Sequence, residues 1–190
     1  MRLLLWLCTL LVVLLEIGCS DDLSPCTVLP GGIRYCLQTT TSIEPFDVQQ
    51  RVDIVFNGHQ ETMIALLETD AEGIRLAGMT PFGQKLMQIG FDNRTVSAET
   101  LPGQSANAAL LLAVVQLAMW PADRARAGLV DAGRIDLIDE PGLRRIVKDG
   151  SDVVLIKYTR GRPPLGDMLI QLPNAKAEFA ISNLDMAATQ

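Results

Sequence analysis

Residues 50–68 read QRVDIVFNGHQETMIALLE. Val52, Ile54 and Phe56 alternate with Arg51 and Asp53. One side of an extended chain would therefore be apolar and the other polar, the pattern of an antiparallel strand with one face on a core. Asn57-Gly58 follows, and these are the residues that a tight two-residue hairpin turn favours. The next run, 62–68, has strand length and composition.

The same reading extends outward. Stretches 33–40, 74–79, 85–91 and 95–101 are short apolar runs separated by turn signals such as Asp70-Ala71-Glu72-Gly73, Pro81-Phe82-Gly83 and Asp92-Asn93. Strands resume at 134–138, 144–148, 153–159, 168–172 and 178–182, punctuated by Asp149-Gly150, Arg160-Gly161-Arg162-Pro163-Pro164 and Pro173-Asn174. Short links between consecutive strands predict pairing of neighbours.

Between the two strand series the period changes. Residues 104–120 carry no charge and are rich in alanine and leucine, which favours a helix capped by Ser105 and stopped by Pro121. Such a helix is apolar almost all round and must be covered on nearly every side. At ~1.5 Å per residue, about 16 residues span roughly 24 Å, too short for a bilayer. It is either a plain core helix or one that shares its surroundings with a ligand. Residues 122–128 read as a charged connector. The expectation is one α+β domain with about eleven strands and one principal helix.

Composition narrows the function. The chain has 190 residues, 48% hydrophobic and 20% charged, with a net charge of −6 and a pI near 4.7. That is ample material for a core and excludes a disordered protein. The acidic balance argues against wrapping nucleic acid. Residues 124–162 are locally basic, and Arg144, Arg145, Lys148, Arg160 and Arg162 would form either a basic rim or merely solvated strand edges.

The N-terminus reads as an address. Residues 3–15 form an apolar run, interrupted only by Thr9, after the basic Met1-Arg2, as in a signal peptide. Cys26 and Cys36, ten residues apart around Pro30-Gly31-Gly32, are expected to form a structural disulfide in an oxidising compartment. A redox site is the alternative, although its usual two-residue spacing is absent.

Catalytic signatures are sparse. The single imidazole, His59, falls in a hairpin turn, and there is no nucleophile elbow, P-loop or set of zinc ligands. The expectation is a non-enzyme with no cofactor and no metal. Asp139-Glu140-Pro141 reads as a loop, although paired carboxylates keep an enzyme in play.

Residues 15–20, Leu-Glu-Ile-Gly-Cys-Ser, resemble the end of a bacterial lipoprotein signal, with Glu16 departing from the usual apolar residue. The resemblance implies that 1–18 are removed, that Cys19 is acylated, and that 19–32 form a tether ahead of a domain at 33–190. With Ser20 next, it implies anchoring on the periplasmic face of the outer membrane. The lipidated start, the meander and the late buried helix are similar to the LolA/LolB-like lipoprotein-carrier superfamily. That likeness implies an incomplete antiparallel barrel around the helix, with a cavity for acyl chains. Two stretches look more specifically like a family of outer-membrane lipoproteins of aryl polyene gene clusters. One is Gly78-Met79-Thr80-Pro81-Phe82-Gly83-Gln84 with Ile89-Gly90-Phe91-Asp92, and the other is Gln116-Leu117-Ala118-Met119-Trp120-Pro121.

The expected function is binding or transfer of a lipid-like acyl molecule, with Leu112, Val115 and Met119 as candidate cavity residues. Phe82 is the candidate membrane or cargo loop, by analogy with the exposed apolar loop of LolB-type receptors. The alternative is an adaptor that docks a biosynthetic or export protein and binds no lipid.

Overall fold

The computed structural model describes residues 25–100, 107–130 and 134–184. The expected signal stretch, Cys19 and Ser105 lie outside the described residues. A short hairpin of β1 (Cys26–Leu29) and β2 (Ile33–Cys36) comes first. The first meander is β3 (Phe46–Phe56), β4 (His59–Asp70), β5 (Gly73–Met79), β6 (Lys85–Phe91) and β7 (Val96–Thr100). Helices α1 (Ala108–Met119) and α2 (Ala122–Ala127) follow. The second meander is β8 (Ile135–Glu140), β9 (Leu143–Lys148), β10 (Ser151–Arg160), β11 (Asp167–Leu172) and β12 (Ala177–Asn183).

Neighbouring strands pair within each meander as expected, and a pairing of β12 with β3 joins the two. The result is one ten-stranded antiparallel sheet in the order β7-β6-β5-β4-β3-β12-β11-β10-β9-β8. Its register sets Phe179 beside Ile54 and Ile181 beside Val52, so the apolar faces of the first and last strands coincide. A slip of one residue would turn those side chains to the wrong face. The sheet does not close, and β7 and β8 are its edges. Helix α1 packs against β7 and the β1–β2 hairpin, and α2 against β8.

Among the described residues the molecule is mostly β, and two helices stand where one principal helix is expected. The missed helix, α2, is Ala-Asp-Arg-Ala-Arg-Ala. Its charges suit the helix ends, with Asp123 in the first turn and Arg124 and Arg126 in the last, while Ala125 is buried. Strand β1 was missed as well, and it extends the fold back to Cys26, into the stretch expected as tether. Cys26 and Cys36 are directly opposed across this hairpin and bonded. Gly31 sits in its turn at φ 98°, where a Cβ would lie 2.7 Å from the Asn174 side chain, so no larger residue fits.

The predicted strand 33–40 ends early for a specific reason. The backbone N–H of Gln38 donates to Gln116 Oε1 at 2.9 Å, and its carbonyl accepts from Gln116 Nε2 at 2.9 Å. A side-chain amide thus takes the place of a partner strand. Tyr35, fully buried, donates its hydroxyl to the same Oε1 at 3.2 Å.

The two ends of α1 are also satisfied from outside the helix. Its N-cap is Asn107, not Ser105, and the Asn107 side chain accepts the Leu110 N–H at 3.0 Å. At the other end Pro121 follows directly, so no left-handed glycine cap forms. The orphan carbonyls go to strands instead. Arg144 Nη1 donates to Leu117 O at 2.8 Å and to Trp120 O at 2.7 Å, and the Tyr158 hydroxyl donates to Ala118 O at 2.8 Å. Arg144 is only 6% exposed; its Nε pairs with Asp139 at 2.8 Å and its guanidinium lies 6.0 Å from the Tyr158 ring centre. No helix among the described residues is long and apolar enough to cross a membrane.

Arg144→Met removes a buried cation that answers two carbonyls and a carboxylate. We expect a loss of about 3 kcal/mol in denaturant unfolding. A loss below about 1 kcal/mol would show that water satisfies this helix end.

Candidate functional site: an apolar cavity under the buried helix

The side of α1 carrying Leu111, Val114, Val115, Ala118 and Met119 faces the sheet across a hollow of about 500 Å³. The other side of the helix, with Leu112, Ala113 and Gln116, is sealed in the core. Of the candidate residues, Val115 and Met119 line this hollow. Leu112 does not; it is fully buried, one helical step round from that face. A helix apolar on every side gives no sequence signal for which stripe meets a cavity, so Leu111 and Val114 were missed.

The opposite wall is built by the inward residues of the central strands, among them Val52 and Ile54 of β3, Ala65 of β4, and Phe179 and Ile181 of β12. The β12–β3 pairing brings these together from positions more than a hundred residues apart. Among the lining residues only Gln50, Glu61, Thr62 and Thr80 are polar. Ala65 and Ala118 are the small side chains of the lining and leave space that leucines would fill. The volume falls within the roughly 300–1,000 Å³ of small-molecule sites, and the balance of many apolar and few polar groups suits them too.

Exposure locates the mouth. Ile54, Met63, Leu86 and Leu111 face the cavity yet are only half-buried, and Glu61 is exposed. Those on strands lie toward the tips of the β3–β4 and β5–β6 hairpins. In the β5–β6 loop, Thr80 accepts the Gly83 N–H at 2.9 Å and donates its own N–H to Gln84 O at 2.8 Å. This tight loop thrusts Phe82 outward, 98% exposed. Phe56, at the tip of β3, is also exposed, so both hairpins at this end carry a solvent-facing aromatic ring. Sequence reading singled out Phe82 and passed over Phe56, whose place in the alternation made it look inward-facing.

The other candidates sit elsewhere. His59 is exposed at the start of β4. The basic rim is largely paired: Arg144 is buried, Arg145 meets Asp152 at 2.8 Å, Arg160 meets Asp167 at 3.0 Å, and Lys148 donates to Gly32 O at 2.9 Å. Of the five, only Arg162 makes no hydrogen bond or ion pair among the described residues.

The chain thus folds as an open antiparallel sheet with an apolar chamber beneath a buried helix. Residues 47–185 match the family described as protein of unknown function (DUF3261), and the chain belongs to that family. The match runs from the start of β3 to just past β12, so it takes in the whole ten-stranded sheet and both helices. A search of curated proteins finds no match.

The phenols that hold α1 in place titrate late. Burial pushes the Tyr158 hydroxyl up to about 12, with the nearby Arg144 guanidinium pulling it partly back. Burial raises Tyr35 further still. An unfolded chain releases these protons near pH ~10 while the folded chain keeps them, so their contribution is complete below that pH and is lost as pH rises toward about 12. Unfolding free energies measured across this range should therefore fall with pH, and less steeply in Tyr158→Phe. Phenolate absorbance appearing at its ordinary pH in the folded protein would contradict the assignment.

Proposed function

We propose that this protein is a non-enzymatic binder or carrier of a lipid-like molecule. The observation that carries the reading is the apolar cavity of about 500 Å³ between α1 and the central strands. An acyl chain placed there would gain about 25 cal/mol for each Å² of apolar surface taken out of water. In this reading the open sheet acts as an incomplete barrel of the LolA/LolB kind, with α1 as its covering element. Acylated Cys19 holds the protein on the periplasmic face of the outer membrane, and an aryl polyene lipid or a related acyl product is the cargo. Phe82, beside the mouth, touches the membrane or a delivering partner as cargo moves.

Native mass spectrometry of the full-length protein tests the cavity. A co-purifying mass extractable by organic solvent is expected from wild type and absent from Ala65→Leu, which places apolar atoms in the hollow instead of in packed core. A bare polypeptide mass, with no uptake of fluorescent fatty acid, would remove the carrier reading and leave a protein-docking adaptor.

Phe82→Ser should leave unfolding unchanged, since the ring buries nothing, while slowing transfer of a fluorescent fatty acid to vesicles severalfold. Wild-type transfer rates in that variant would take Phe82 out of the mechanism.

A further inference from the structure

A second hollow, of about 710 Å³, is framed by the C-terminal end of α1, the β8–β9 turn and the β10–β11 loop. Phe56 pairs with Ala177, so the β11–β12 turn lies at the mouth end and the β10–β11 loop at the far end. Ala118 and Met119 line both hollows. The cleft and the apolar cavity thus share a wall that includes the unbranched, adaptable thioether chain of Met119.

The charges of the cleft leave a distinctive remainder. Arg144, in its floor, is committed to Asp139 and to the carbonyls of α1. Two ions of opposite sign are left in the lining. The side chains of Arg162 in the β10–β11 loop and Glu140 at the β8–β9 turn make no hydrogen bond or ion pair among the described residues, although the Glu140 carboxylate contributes to raising the Arg145 pKa. Trp120 also lines the cleft; it is 1% exposed, and its buried indole N–H has no partner. An unanswered buried donor is costly and calls for an explanation.

We propose that this cleft is the headgroup subsite of a zwitterionic amphiphile, one bearing a phosphate and an amine, whose acyl chain passes Met119 into the cavity. The inference rests on the lipid-binding reading above. The phosphate meets Arg162, a bidentate phosphate donor on the exposed side of the cleft. The ammonium meets Glu140, on the side where the negative end of the α1 dipole favours a cation. A purely anionic headgroup would face Glu140 and that dipole unfavourably, and an uncharged one would use neither ion.

The test is calorimetric titration of the full-length protein, held in amphipol, with three ligands of one chain length. These are lysophosphatidylethanolamine, lysophosphatidylglycerol and monoacylglycerol. The zwitterion is expected to bind roughly tenfold more tightly than the monoacylglycerol, the scale of one charge-assisted hydrogen bond. Arg162→Ala and Glu140→Gln, both at exposed positions, should each erase most of that advantage and leave monoacylglycerol binding unchanged. Equal affinity for all three would overturn the headgroup subsite while the cavity reading stands. Tighter binding of the anionic lipid, strengthened by Glu140→Gln, would overturn the zwitterion. Binding of none would sink the cavity reading itself.

Discussion

The contact on which the arrangement depends is the guanidinium of Arg144 against the C-terminal carbonyls of α1. A helix whose side chains are nearly all apolar can be buried only if its backbone ends are buried with it, and those ends are polar. Pro121 denies this helix the usual left-handed cap, so the carbonyls must find donors elsewhere. Arg144 and Tyr158 supply them from the inner face of β9 and β10, while Gln116 answers the backbone of Gln38 on the other flank. The helix is thus tied by polar bonds on two sides, and its remaining apolar stripe has no partner element. That unfilled stripe is one wall of the cavity.

The other wall depends on the pairing of β3 with β12. Each meander is a local structure, built from short turns between consecutive strands, and each alone would end in an exposed edge. Joining them at β3 and β12 protects those two edges and puts the apolar alternation of both strands on one face. The remaining edges, β7 and β8, lie beside the helices rather than against each other. Small side chains at Ala65 and Ala118 leave part of the space between the covered face and the helix unfilled.

Much of this was legible in the residues. The alternation of Val52, Ile54 and Phe56 and the Asn57-Gly58 turn identified the central hairpin, because a period of two and a positive-φ turn are local properties. The helix was equally plain, since seventeen uncharged residues ending in a proline have few other solutions. The Gln-Leu-Ala-Met-Trp-Pro stretch stood out as a motif, and its bonding explains it: Gln116, Ala118 and Trp120 each offer a group that a distant strand or loop engages. By contrast, α2 was hidden by its charges, and β1 by its brevity. The inward stripe of α1 was unreadable because hydrophobicity alone does not distinguish Leu111 from Leu112.

Local sequence determined which segments are strands, which are helical, where each turns, and that Cys26 and Cys36 would meet. It did so because turn chemistry, alternation and helix punctuation act within a few residues. Only the tertiary structure decided that β3 and β12, far apart in the chain, are neighbours in the sheet, that Arg144 is a buried helix cap rather than part of a basic rim, and that a cavity remains under one side of α1. Those outcomes depend on contacts between residues far apart in the chain, where the identity of a side chain says little until its partner is in place.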